Sequence, residues 1–245
     1  MEKLGTYKFH LNSYELDFRG KCTVSLVVNL ILQAATKHAE QRGFGYSFVQ
    51  SKGRAWVLSR LVVEMYEYPD NEQDITVNTW IANINKLFTE RDFAFLNESG
   101  QTIGYARSVW ASIDLQTRRP ENLLTLYGMS DFVLERDCPI ENIRKIPSLR
   151  EETPANAFTV NYSDLDINNH LNSVKYVEHF MDMFDIEMYK AGDVRRFEIH
   201  FAAEATYGKH IALCKKEEEP NVFALEMRTE EGFISAARVE WKCRM

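Results

Sequence analysis

Asp164, Asp166, Asn168, Asn169, His170 and Asn172 place two carboxylates, three amides and an imidazole within one stretch of nine residues, DLDINNHLN. Those are the groups of general acid–base chemistry: a carboxylate or imidazole moves a proton, and an amide side chain orients a water or a carbonyl. The same residues also suit a plainly structural role. Asp and Asn satisfy the free backbone donors at a helix start, and a histidine beside them is then an ordinary exposed side chain. The loop by itself supports both readings.

The elements around this loop form a repeat. YELDFRGKCTVSLVVNLILQAA (Tyr14 to Ala35) resembles YSDLDINNHLNSVKYVEHFMD (Tyr162 to Asp182), each a polar loop running into a helix. In the second helix Val174, Val177, Phe180, Met181 and Phe184 recur at spacings of three and four, which gives one apolar face, with Asn172 or Ser173 as N-cap. In the first, Leu26, Val27, Leu30, Ile31, Ala34 and Ala35 predict a deeply buried helix ending near Gly43. Strand patterns follow at 56–68 and 74–84 in the first half, and at 194–204 and 210–215 in the second. A hairpin recurs too: Asp92 to Asp114 matches Val222 to Arg244, with Phe93-Ala94 aligned on Phe223-Ala224 and Gly100 and Gly232 at the turns. Each half is therefore expected to be α+β, a long helix packed in a curved antiparallel sheet. Pro120, Pro139, Pro147 and Pro154 break the stretch between them. The expected division is 1–118, a linker at 119–157 with short helical pieces near Asn122 to Tyr127 and Asp131 to Glu135, and 158–245.

The repeat weighs the two readings of the polar loop against each other. Aligned from Asp17 and Asp166, the first copy carries Arg19 in place of Asn168 and Lys21 in place of His170. Residues needed for folding would be retained in both copies, so the asymmetry points to catalysis in the second.

At these residues the chain resembles the acyl-acyl-carrier-protein thioesterases, the fatty-acid-releasing family of plants and bacteria. The resemblance covers essentially the whole length. It rests on ELDFRGK before the first helix, the WVLSRLVVEM strand, the Thr79-Trp80 and YARSVW segments, and above all DLDINNHLNSVKY. It implies a tandem, or double, hotdog fold, with the first half binding the acyl chain and the second carrying the chemistry. It also implies catalytic roles for Asp166, Asn168, His170 and, in HFAAEATYGK, Glu204. The family's usual Cys after this Glu is here Ala205, which disfavours a thiolate nucleophile and favours a carboxylate.

The expected reaction is hydrolysis of a fatty acyl-ACP thioester, releasing free fatty acid and holo-ACP in fatty acid biosynthesis. Asp166 or Glu204 deprotonates water, or one of them attacks directly to give an anhydride; the sequence leaves both open. The rivals are an acyl-CoA thioesterase, which would share the loop and differ in its docking surface, and a non-catalytic acyl-binding hotdog protein. Trp56, Trp80 and Trp110 read individually as sheet core rather than as the walls of an acyl tunnel. The carrier protein is acidic and the chain has a net charge of -7, so docking needs a local basic patch, with Lys175, Arg195, Arg196, Arg118 and Arg119 as candidates.

Composition sets the outer bounds. With 245 residues, 45% of them hydrophobic and 27% charged, the chain can bury a sizeable core. The negative charge argues against nucleic-acid binding. With no signal segment and no apolar run near the ~20 residues of a membrane span, a cytoplasmic protein is expected. Cys22, Cys138, Cys214 and Cys243 are scattered, without metal-ligand spacing, and are read as reduced thiols. No nucleotide or metal motif appears, and no cofactor is expected. The exposed faces of two repeats leave monomer and homodimer both open.

Overall fold

The computed structural model describes residues 2–126 and 128–243. Tyr127, at the end of the first expected helical piece, lies outside the described residues, as do Met1, Arg244 and Met245 at the outer ends of the two halves. The chain divides into two compact units, Met1–Asn142 and Ile143–Met245.

The first unit contains β1 (Gly5–Leu11), α1 (Val24–Gln41), α2 (Tyr46–Ser51), β2 (Arg54–Met65), β3 (Gln73–Ile84), β4 (Thr89–Leu96) and β5 (Thr102–Asp114). Its antiparallel sheet runs β1-β3-β4-β5-β2. Thr23 starts α1 by accepting the Leu26 N–H at 3.1 Å. Val27, Val28, Ile31 and Ala34 are completely buried, as a deeply buried helix requires, but Gln33, Thr36, Lys37, Glu40 and Gln41 form an exposed face, so the helix is amphipathic rather than apolar nearly all round. Burying each large aliphatic side chain contributes about 1.5–3 kcal/mol, so the sheet rather than helix propensity holds α1.

The second unit contains β6 (Asn156–Thr159), α3 (Ser173–Met181), α4 (Ile186–Ala191), β7 (Gly192–Phe201), β8 (His210–Glu219), β9 (Val222–Thr229) and β10 (Gly232–Cys243). Its antiparallel sheet order, β6-β8-β9-β10-β7, reproduces that of the first unit strand for strand. Each unit is thus a helix with a five-stranded antiparallel sheet, the hotdog arrangement.

One helix is shorter than its apolar period suggests. α3 has nine residues, and Met183 and Phe184 donate to Phe180 and Met181, three residues back, which tightens the chain out of the α form. The Tyr189 hydroxyl also donates to the Met181 carbonyl at 2.7 Å, capping the end. Phe184 still reaches the core by this turn and meets Phe223 and Trp241 at 5.1 and 5.2 Å between ring centroids. The expected helical pieces near 122 and 131 are single 3₁₀ turns, Leu123–Thr125 and Met129–Phe132. In the first unit Met129 and Phe132 pack with Phe44 and Ile81. In the second unit Leu149 packs with Cys214 and Ala224.

Candidate active site

The polar loop is built by its own side chains. The Asn161 N–H donates to Asp164 at 2.8 Å and opens a 3₁₀ turn over Tyr162–Asp164. Asp166 then organises the turn itself: one carboxylate oxygen accepts the Asn168 N–H at 2.8 Å and the His170 N–H at 3.1 Å. Its other oxygen accepts from the Asn168 side-chain amide at 3.3 Å. Asn169 takes the left-handed conformation at φ 61°, which short polar side chains tolerate, and turns the chain back so that the Asp166 N–H reaches the His170 carbonyl at 2.8 Å. Asn172 ends the loop as N-cap of α3, accepting the Val174 N–H at 2.9 Å. Of the two N-cap residues the sequence allowed, Asn172 takes the role.

Glu204 lies three residues beyond the end of β7. Two contacts carry it to the loop: the Leu171 N–H donates to the Ala205 carbonyl at 2.7 Å, and His170 and Thr206 form a backbone bridge. The result sets His170 Nε2 3.4 Å from the Glu204 carboxylate. Both side chains keep access to water, at 27% and 41% exposure. The four expected residues therefore gather at one loop, in two kinds of position. Asp166 spends its oxygens on the loop's own donors, while the His170 imidazole and the Glu204 carboxylate face each other with access to water.

The first unit contains the same loop without a histidine–carboxylate pair. Asp17 accepts the Arg19 N–H at 2.8 Å and the Lys21 N–H at 3.1 Å, matching Asp166 bond for bond. Gly20, at φ 72°, stands where Asn169 does. The Cys22 N–H donates to the Pro69 carbonyl at 2.8 Å, as Leu171 does to Ala205. That correspondence puts Lys21 at the place of His170 and Tyr68 at the place of Glu204.

Tyr176, part of the motif but without a role expected from the sequence, sits beside this pair. It is 3% exposed, and its hydroxyl donates to the Ala203 carbonyl at 3.2 Å. Burial above all pushes this hydroxyl up to about 12; the Ala205 amide opposes that, and the charges of Glu204 and Asp166 add to it.

Two other expectations meet the structure here. Ala205 is buried at 2% exposure with its carbonyl in the bridge. Cys214 is fully buried among Leu149 and Ala224, and burial raises its thiol, so neither position offers a thiolate. Arg196 is no docking residue: it is 2% exposed and donates to the completely buried Glu198 at 2.7 Å. The alternation of β7 turns Arg196 and Glu198 to the same buried face.

The chain matches the profile of the acyl-ACP thioesterase N-terminal domain over residues 2–126 and that of the C-terminal domain over residues 148–243. It belongs to the acyl-ACP thioesterase family. An acyl-ACP thioesterase from Bacteroides thetaiotaomicron is similar over 98% of both chains, with 37% identity and a TM-score of 0.93. The 12:0-ACP thioesterase of Umbellularia californica shares the fold, at 20% identity and a TM-score of 0.89, over 100% of this chain and 99% of that one. Among curated relatives, oleoyl-acyl carrier protein thioesterase 2 of Arabidopsis thaliana is 24% identical over 95% of this chain and 68% of its own length. The acyl-[acyl-carrier-protein] hydrolase FATB3 of Cuphea viscosissima is 24% identical over 96% of this chain, which spans 61% of that protein. Both plant relatives are described as chloroplastic. In this family member no helix among the described residues is long and apolar enough to cross a membrane.

Proposed function

We propose that the chain hydrolyses fatty acyl thioesters of acyl carrier protein in the cytoplasm, releasing the fatty acid and the carrier's free thiol. The observation that carries this reading is the His170–Glu204 pair at 3.4 Å, set in a loop whose structural twin in the same chain has Lys21 and Tyr68 instead. A scaffold common to both loops accounts for Asp166; it does not account for the pair.

In the proposed reaction Glu204 takes a proton from water, and the resulting oxygen nucleophile attacks the thioester carbonyl carbon. His170 holds and steadies the Glu204 carboxylate, and Asn168 orients the water or the carbonyl. The oxyanion forms near the start of α3, where the helix dipole is positive. Collapse of the tetrahedral intermediate breaks the C–S bond, and the leaving thiolate recovers the proton. Asp166 positions Asn168 and His170 from below. The second half, residues 158–245, is the catalytic half and the first, residues 1–118, the acyl-binding half. Carrier docking falls to basic residues left outside the core, with Lys175 of α3 close to the loop and Arg196 excluded.

One acyl group presented on two carriers tests the substrate class. Faster thiol release from the acyl carrier protein supports the reading, and a clear preference for coenzyme A replaces the carrier protein with the nucleotide thiol.

A further inference from the structure

Glu204 has a difficult placement. It is a long, 41% exposed side chain outside any strand, and its orientation depends on the backbone around it. That backbone is anchored on one side by the Leu171 N–H on the Ala205 carbonyl at 2.7 Å. On the other side the anchor is a side chain: Tyr176 of α3 donates to the Ala203 carbonyl at 3.2 Å. The ring is fixed edge-on to Phe201, the last residue of β7, with centroids 5.3 Å apart. The two anchors flank Glu204 directly.

The first unit shows which anchor the fold requires. The backbone anchor is present there, from the Cys22 N–H to the Pro69 carbonyl at 2.8 Å. The place of Tyr176 in α1 is taken by Val27, whose side chain is completely buried. An aliphatic side chain therefore satisfies this helix position in a hotdog unit that has Tyr68 where Glu204 would be. The hydroxyl is an addition found in the unit that carries the carboxylate.

We infer that Tyr176 is a positioning residue of this site, its hydroxyl holding the Ala203 to Ala205 segment so that the Glu204 carboxylate stays against His170. A tyrosine hydroxyl is protonated throughout the neutral range, and burial raises this one further, so it remains a donor to the Ala203 carbonyl. Tyr176 does not touch the substrate; it acts through Glu204. The inference rests on the proposed reaction for its kinetic consequence and on geometry alone for its structural one.

Tyr176→Phe keeps the ring and removes the hydroxyl. Turnover of acyl-carrier-protein substrate is expected to fall about tenfold, the equivalent of one lost hydrogen bond of about 1.4 kcal/mol, with KM within about twofold of the parent. In a Glu204→Gln background the same change should cost nothing further, since the group being positioned is gone. The imidazole signals of His170, followed by NMR without substrate, should move in Tyr176→Phe in the direction they move in Glu204→Gln. A Tyr176→Phe enzyme with parental turnover and an unmoved His170 signal overturns the inference, as does a loss that adds in full to that of Glu204→Gln. If the parent releases no thiol from any acyl carrier substrate, the proposed function falls instead, and the His170 signal still decides the role of Tyr176.

Discussion

His170 Nε2 faces the Glu204 carboxylate at 3.4 Å, the two residues arriving from segments joined by a backbone bridge between His170 and Thr206. This separation is at the long end of hydrogen bonding, as is common before a substrate tightens a site. It makes Glu204 the group whose loss should be felt most purely in the chemistry. Glu204→Gln preserves shape and removes the base, so kcat should fall by about a hundredfold or more while KM changes little. Steady-state kinetics on one acyl-carrier-protein substrate checks this, and a KM effect with kcat retained would move Glu204 from the reaction to binding.

Asp166 calls for a different outcome. Its oxygens accept from two backbone N–H groups and one side-chain amide, and Asp17 repeats the two backbone contacts where no reaction is placed. Asp166→Asn retains a carbonyl oxygen for those donors and should keep activity within about tenfold, whereas Asp166→Ala leaves them unpaired, costing about 1–3 kcal/mol of stability and most of the turnover. Thermal unfolding alongside kcat separates the cases. An Asp166→Asn enzyme as inactive as Asp166→Ala would identify Asp166 as the attacking carboxylate.

The buried pair of the second unit bears on stability. Arg196 and Glu198 are 2% and 0% exposed, and Glu198 also accepts the Arg144 N–H at 2.7 Å. Removing the cation strands a buried carboxylate, so Arg196→Ala should cost about 3–5 kcal/mol in urea unfolding. KM for the carrier substrate should hold in whatever fraction stays folded; a raised KM with unchanged stability would return Arg196 to the docking surface.

Acid should destabilise the first unit through His38. This residue is completely buried, accepts from Arg91 at 2.9 Å and donates to the Lys3 carbonyl at 3.1 Å. Burial, then the charges of Arg91 and Arg42, lower it from 6.5 to about 3. The unfolded chain takes up this proton first as pH falls, so the contribution is whole above about pH 6.5 and is lost progressively toward about pH 3. The melting temperature should drop across that window, and His38→Gln should flatten the slope even if it lowers the level. An unchanged slope in the variant would assign the acid sensitivity elsewhere.

The loop was legible in the sequence because its instructions are local. Asp166 bonds residues two and four ahead, and Asn172 caps the helix it precedes, so spacing alone describes them. The repeat exposed the difference between scaffold and chemistry, since Asp17 was kept while His170 faced Lys21. What needed three dimensions was less visible. Phe184 keeps the helical period although the chain leaves the helix at Met181, because a tight turn delivers the ring to the same core. Arg196 looked like a surface cation because nothing local reveals that β7 buries it with Glu198. The hairpin alignment also drifts: Ala106-Arg107 matches Ala237-Arg238 in sequence, yet Phe93 pairs with Ala106 while Ala237 pairs with Leu225, not with Phe223. Apolar residues two apart share a strand face, so sequence similarity does not fix their register.

Release of free thiol from acyl-carrier-protein thioesters of graded chain length, with the parent, Glu204→Gln and His170→Ala side by side, puts the proposed reaction itself to the test. Turnover by the parent at one or a few chain lengths, with kcat lost in both variants and their folded state intact, is the predicted result. A parent that turns over no chain length, or variants that turn over as fast as the parent, would contradict it.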